Sequence, residues 1–322
     1  MGFEEIKSQE KAINLLKAGF RTRRISHAFL FYGPQGVGKG TTAKVFSQLL
    51  NCQEPSPDAE PCEKCSSCQK AISGNHPDII WVEPEGNNIK IGQMRTLQEK
   101  AYFKCYEGTY KVIMIDDVQL LTEEAANSLL KVLEEPPANT VFILIAQDSG
   151  ALPTTLLSRC QSIPFNPLSE QVISAILKEQ GKQLNFPLSL AKGSVGRALD
   201  LSKKFDGEQF VWNISQLLEG LPTMSYQEIF SWAEKIEKDK ELQEASLDVM
   251  ATIFRDKLVE GVVGDNEELL LGKKDYLAMD LSEQKCLQAL QEITKSQQLL
   301  NRNANNRLVL EVLLIKLRNI ES

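Results

Sequence analysis

The sequence predicts an α/β domain built on a parallel sheet, followed by a wholly helical remainder. Three observations predict this class. Apolar strand patterns and amphipathic helix patterns alternate from the amino terminus to about residue 165, as a parallel sheet covered on both faces requires. The first clear strand runs into a glycine-rich loop, Gly33-Pro34-Gln35-Gly36-Val37-Gly38-Lys39-Gly40; in such loops backbone N–H groups converge on phosphate and the lysine adds a point charge. Beyond Phe165-Asn166-Pro167 the strand patterns stop and helical patterns continue.

Each element follows from local pattern. His27 to Tyr32, apolar after its first residue, reads as a buried strand before the loop, and Thr41 to Leu50 as the helix that follows it. Ile79-Ile80-Trp81-Val82 reads as a strand and Ile91 to Tyr102 as a helix. Lys111 to Ile115 is a third strand, ending in Asp116-Asp117. A helix from Glu123 to Glu134 stops before Pro136-Pro137, which cannot continue it, and Thr140 to Ile145 is another buried strand. Ser169-Glu170 begins a small helical domain that runs through Gly193-Ser194-Val195-Gly196-Arg197 to about residue 206. From there to Ser322 the pattern is long amphipathic helices, among them Tyr226 to Glu237 and Leu308 to Ile320. The expected domains are therefore 1–166, 167–206 and 207–322.

The chain has 322 residues, enough for two or three domains with cores of their own. No apolar run is long enough to span a bilayer, and Met1 to Lys7 lacks a basic-then-apolar leader, so the expected compartment is the cytoplasm. Net charge is −7, with −8 carried by residues 206–322 and +1 by the rest. The carboxy-terminal third is thus a poor surface for phosphate backbones and suits protein contacts. Lys17, Arg21, Arg23 and Arg24 form a local basic cluster for nucleic acid, and the same cluster reads equally as a solvated helix face.

Four of the seven cysteines, Cys52, Cys62, Cys65 and Cys68, have the spacing C-x9-C-x2-C-x2-C. That spacing lets four thiolates share one tetrahedral ion, and the intervening loop, with Pro55, Pro57 and Pro61, has little apolar material to order itself by packing. A structural Zn²⁺ is expected in a module of about residues 51–70. Cys105, Cys160 and Cys286 are isolated and expected to be packed rather than reactive. The insert balances Lys64 and Lys70 with Asp58, Glu60 and Glu63, so a reading of it as a DNA-binding module has no basic excess behind it.

Around the loop, Gly33, Pro34, Gly36, Gly38 and Lys39 suit phosphate, and Asp116 at a strand end suits Mg²⁺. Gly40 stands where a Ser or Thr hydroxyl normally reaches the metal, leaving Thr41 as the nearest substitute. The pattern suits binding of ATP with Mg²⁺ without efficient hydrolysis. Asp117 stands where a longer acid would activate water; the pair also reads as a cap for a helix near Thr122. Arg159, in Leu156-Leu157-Ser158-Arg159-Cys160, is placed either to enter a neighbouring subunit's nucleotide site or to form a surface salt bridge.

In order along the chain, His27 to Pro34, the four-cysteine insert, Asn127 to Pro137 and Leu156 to Cys160 resemble the bacterial DNA polymerase III clamp-loader AAA+ proteins. The resemblance is dense over residues 27–160 and one of layout beyond. It implies an AAA+ domain, a small helical lid and a helical collar through which a pentameric ring forms with gamma/tau motor subunits and a delta subunit. That ring places a sliding clamp on primer–template DNA. Departures from the motor pattern, at Gly40, Asp117, Ala146-Gln147 and Gly196, remove groups that touch nucleotide or metal, whereas Arg159 keeps its motif. This combination resembles the delta-prime subunit, a stator that would offer Arg159 in trans. The alternative is an active gamma/tau-like ATPase.

Overall fold

A computed structural model of the chain describes residues 2–182, 187–263, 269–271, 281–301 and 304–321. The chain divides into two compact units, Met1–Val172 and Ile173–Ser322.

In the first unit the order is α1 (Glu10–Arg21), β1 (Ala28–Tyr32), α2 (Lys39–Leu50), α3 (Ser66–Ile72), β2 (Ile79–Val82), α4 (Ile91–Tyr102), β3 (Lys111–Ile115), α5 (Glu123–Glu134), β4 (Thr140–Ala146), α6 (Thr154–Leu157) and β5 (Gln161–Pro164). The strands form one sheet in the order β2-β3-β4-β1-β5, parallel throughout. Period-two alternation sorts its side chains into two cores. Phe29, Phe31, Val112, Met114, Ile143 and Ile145 pack with Phe46 and Leu49 of α2 and Leu16 of α1. Ala28, Leu30, Ile113, Ile115, Phe142 and Leu144 face Met94 and Leu97 of α4 and Leu129 and Leu133 of α5. Burial on both faces is why these strands read as continuous apolar runs.

The edge strand β5 and the bounds of α1 were not assigned from sequence. In β5 only Ile163 is buried while Gln161, Ser162 and Pro164 are exposed, so this edge strand lacks an apolar run. α1 carries Lys17 and Arg21 of the basic cluster, Arg23 and Arg24 following its end, and both helix cations have acidic partners: Lys17 pairs with Glu60 and lies over the Phe3 ring, and Arg21 pairs with Asp58. That face of α1 buttresses the cysteine insert.

The second unit begins within α7 (Glu170–Glu179) and continues with α8 (Val195–Lys204), α9 (Gly207–Gly220), α10 (Tyr226–Glu237), α11 (Lys240–Val263), α12 (Glu283–Asn301) and α13 (Asn306–Glu321). One apolar cluster joins Val211, Ile214, Ile229, Phe254, Ile293 and Leu314, and it includes Leu190 and Leu201 from the segment expected as a lid. The helical expectation for residues 264–268 and 272–280 lies outside the described residues. No helix among the described residues is long and apolar enough to cross a membrane.

Candidate functional site

The register puts the phosphate loop and the acids at one end of the sheet. Tyr32 aligns with Ala146, and Ile115 with Leu144, so Gly33, Gln147 and Asp116 all follow strand ends on the same edge, with β4 between β1 and β3. Open parallel sheets bind ligands at this edge. Gly33 has φ 145°, and a Cβ there would stand 2.2 Å from the Phe165 carbonyl oxygen, so no other residue fits. Gly36 and Gly38 are left-handed, which turns the backbone into α2. The buried Gln9 side chain donates to the carbonyls of Val37 and Asn166 and accepts from the Asn166 N–H, pinning the loop to the segment leaving β5.

Lys39 is the first residue of α2 and only 6 % exposed. Its ammonium donates to the carbonyls of Gly33 and Pro34, each at 2.6 Å. Burial lowers its pKa to about 8, against the opposing pull of Asp116 and Asp117. Asp116 is raised, by burial first and then by Asp117. Asp117 adopts a left-handed backbone, φ 44°, and its carboxylate accepts from Gln119 at 2.7 Å and from Gln147 at 3.3 Å. The cap of α5 is Thr122, whose hydroxyl accepts from the Ala125 N–H, so the acids are not that helix's cap.

Gly40 lies under a ring. A Cβ at this position would meet Trp81 Cη2 at 3.3 Å, and the same indole carries the Lys44 ammonium 4.7 Å over its face and donates to Glu83 at 2.8 Å. A side chain at this position would thus press on the edge of the β2 indole, which would have to give by a few tenths of an ångström. Thr41 follows one residue on, turned by about 100° around the helix, and Thr42 returns its hydroxyl to the Gly38 carbonyl at 2.8 Å.

Arg159 follows the short α6. Its guanidinium donates to Thr155 O at 2.7 Å, Ser158 Oγ at 3.3 Å and Glu134 Oε1 at 2.6 Å, and its side chain is 32 % exposed. Of the two roles the sequence left open, the salt bridge is formed within the chain, and the guanidinium still reaches solvent.

The cysteine insert is a separate site. The sulfurs of Cys52, Cys62, Cys65 and Cys68 all lie within 4.8 Å of one another, with Cys62 and Cys68 at 3.9 Å. Ligands about 2.3 Å from a tetrahedral Zn²⁺ are separated by about 3.8 Å, so this set fits a metal ion such as zinc. Backbone N–H groups of Cys62, Cys65 and Cys68 donate to the sulfurs of Cys52, Cys62 and Cys65 respectively, an arrangement that favours thiolate. Those from Cys65 and Lys64 draw the Cys62 thiol down to about 6, whereas burial pushes Cys68 up to about 12. Four sulfurs would close the shell, leaving no position for substrate. Away from this site, Cys286 is buried and Cys105 and Cys160 are partly buried.

A family profile described as DNA polymerase III, delta subunit, matches residues 8–169. DNA polymerase III subunit delta-prime of Bacillus subtilis is 34% identical over 306 residues, covering 93% of this chain and 91% of that protein. The chain belongs to the DNA polymerase III clamp-loader family. DNA polymerase III subunit tau of the same organism is 31% identical over 348 residues, covering 98% of this chain and 61% of tau. A gamma subunit-related protein from Thermotoga maritima, known from its crystal structure, is 18% identical with a TM-score of 0.46, covering 95% of this chain and 99% of that one.

In this clamp-loader family member the segment expected as a lid is tied down by its own polar contacts. Ser194 caps α8, accepting from the Arg197 N–H at 2.9 Å. The Arg197 side chain donates to Leu190 O and pairs with Asp248 of α11, which also takes Lys192 and Gln297. Sequence reasoning gave no role to Trp81, Gln9 or Asp248. An aromatic in an edge strand carries no signal of what it covers, and a buried acid on a helix is legible only once its partners are placed.

Proposed function

We propose that this chain is a delta-prime-like stator of a DNA polymerase III clamp loader. In a pentameric ring with gamma/tau motors and a delta subunit, it would support ATP-dependent placement of the sliding clamp on primer–template DNA. Residues 1–166 act as the AAA+ domain, 167–206 as the lid and 207–322 as the collar. Arg159 acts in trans on the neighbouring motor's ATP, where a guanidinium stabilises charge on the transferring phosphoryl group. Zn²⁺ on Cys52, Cys62, Cys65 and Cys68 orders the insert.

The observation that carries this reading is an asymmetry. The chain's own phosphate loop has Trp81 over Gly40 and Asp117 held by two glutamine amides. Meanwhile Arg159 reaches solvent. Gly33, Pro34, Gly36, Gly38, Lys39, Thr41 and Asp116 then form a static phosphate site rather than a working ATPase. The second reading, an active gamma/tau-like ATPase, draws on the charge coupling that persists between Lys39 and Asp116.

The deciding experiment is clamp- and DNA-stimulated ATP turnover of a loader reconstituted with its motor subunits. A stator loses turnover with Arg159→Ala and keeps it with Lys39→Ala. The reverse result establishes a motor.

A further inference from the structure

Arg159 is held by a residue to which the chemistry so far gives no part. Glu134 closes α5, and its Oε1 accepts from Arg159 Nη2 at 2.6 Å. On the other side of the guanidinium, Nη1 donates to Thr155 O at 2.7 Å and to Ser158 Oγ at 3.3 Å. A guanidinium carries five N–H donors in a rigid plane. Three are committed to these partners, and two are left without a partner among the described residues.

The arrangement fixes the plane from two directions. Thr155 O of α6 and Ser158 Oγ at its C-cap, just before the arginine, hold one end of the fork. Glu134 comes from a different helix, 25 residues earlier, and determines rotation about the end of the side chain. Without it a long arginine side chain at a half-exposed position samples many rotamers, and ordering it on contact with an anion costs affinity for that geometry. The cation also lies at the carboxy-terminal end of α5, where the helix dipole favours positive charge. Glu134 is itself 52 % exposed, so the ion pair contributes little to stability. Its effect is on orientation.

We propose that Glu134 is a positioning residue for Arg159, presenting the two remaining N–H donors of the guanidinium to an anionic oxygen on an adjacent subunit. This rests on the trans role of Arg159 proposed above. The pair forms within one chain, so the arginine is oriented before the ring assembles, and the entropy of ordering it is not charged to the hydrolytic step.

The test uses the complete loader reconstituted with motor subunits, clamp and primed DNA, and compares Glu134→Gln, Arg159→Ala and the double variant. Misplacement of a group by about 1 Å can cost up to about 100-fold, so Glu134→Gln is expected to lower kcat at the site served by Arg159 by roughly 3- to 10-fold. KM for ATP and ring assembly stay unchanged. In the Arg159→Ala background Glu134→Gln has no further effect, because residues acting as one unit are not additive. Unchanged or increased kcat in Glu134→Gln, or a further loss in the double variant, overturns the positioning role while leaving the trans arginine intact. If Arg159→Ala alone leaves turnover unchanged, the trans reading itself falls.

Discussion

The indole of Trp81 covers Gly40 so closely that a Cβ on the glycine would stand 3.3 Å from Trp81 Cη2. Gly40 offers no hydroxyl to a metal, and a side chain added there requires the ring to give by a few tenths of an ångström. Gly40→Thr is expected to leave nucleotide affinity insensitive to Mg²⁺, within about twofold. Adding Trp81→Ala should remove the ring and make binding Mg²⁺-dependent by about tenfold, a single good metal contact being about 1.4 kcal/mol or more. Titration calorimetry with and without Mg²⁺ checks this; Mg²⁺ dependence in Gly40→Thr alone refutes the steric argument.

Lys39 supplies a pH-dependent contribution whose sign is fixed. Its pKa in the fold is about 8, lowered from 10.5 chiefly by burial, so the unfolded chain binds the proton more tightly. The resulting cost is fully present below pH 8 and is relieved as pH rises toward 10.5. Wild type should therefore gain stability relative to Lys39→Met between about pH 8 and 10.5. Urea unfolding of both proteins across that window measures it. A constant difference means Lys39 keeps an ordinary pKa.

The cysteine cluster is expected to hold about one Zn²⁺ per chain, measured by elemental analysis. An ion present at about 1,000 times its Kd stabilises by about 4 kcal/mol, so chelation should lower Tm by several degrees and open residues 52–68 to protease. Cys68→Ser should abolish stoichiometric metal, while Cys286→Ser, in the second unit, leaves it unchanged. Full metal content in Cys68→Ser would remove the four-sulfur assignment.

Asp248 is 5 % exposed at its side chain and is shared by Arg197, Lys192 and Gln297. Asp248→Ala leaves two cations without their acid. The cost should be about 2–3 kcal/mol, toward the low end for buried pairs because Lys192 is half exposed. A change below about 1 kcal/mol in urea unfolding would mean that solvent screens the network.

Legibility from sequence followed the physics of each element. β1, β3 and β4 were readable because burial on both faces makes them almost continuously apolar, with only Lys111 and Thr140 at their starts polar, and the glycines of the loop because their backbone conformations admit little else. The cysteine spacing encoded the ligand set directly. By contrast β5 exposes three of its four residues, and α1 shows its cations without showing Glu60 and Asp58, which come from an insert some 40 residues away. Trp81 and Glu134 act across elements, through contacts that exist only after β2 meets α2 and α5 meets α6. Arg159 was identified by motif, but its salt bridge required the fold.

The same limit hid Asp78, which is 1 % exposed and accepts from three successive backbone N–H groups, Tyr106 at 2.8 Å, Glu107 at 2.9 Å and Gly108 at 2.8 Å. Burial pushes its carboxyl up, yet the three donors together outweigh that and hold it below its usual value. An acid depressed in this way contributes stability above the unfolded pKa of about 3.9, and loses it as pH falls through the lower folded value. Asp78→Ala leaves three donors without their shared anion, at about 2–4 kcal/mol by the cost of lost hydrogen bonds to charge. Amide exchange at residues 106–108 should accelerate by about 100-fold at pH 7 in Asp78→Ala. Because Tyr106 is 84 % exposed, its own side chain offers that loop little burial to replace the carboxylate. Unaltered exchange would show that the loop is held by Asn51, which accepts from Tyr110 N–H and donates to Tyr110 O, both at 2.9 Å, rather than by Asp78.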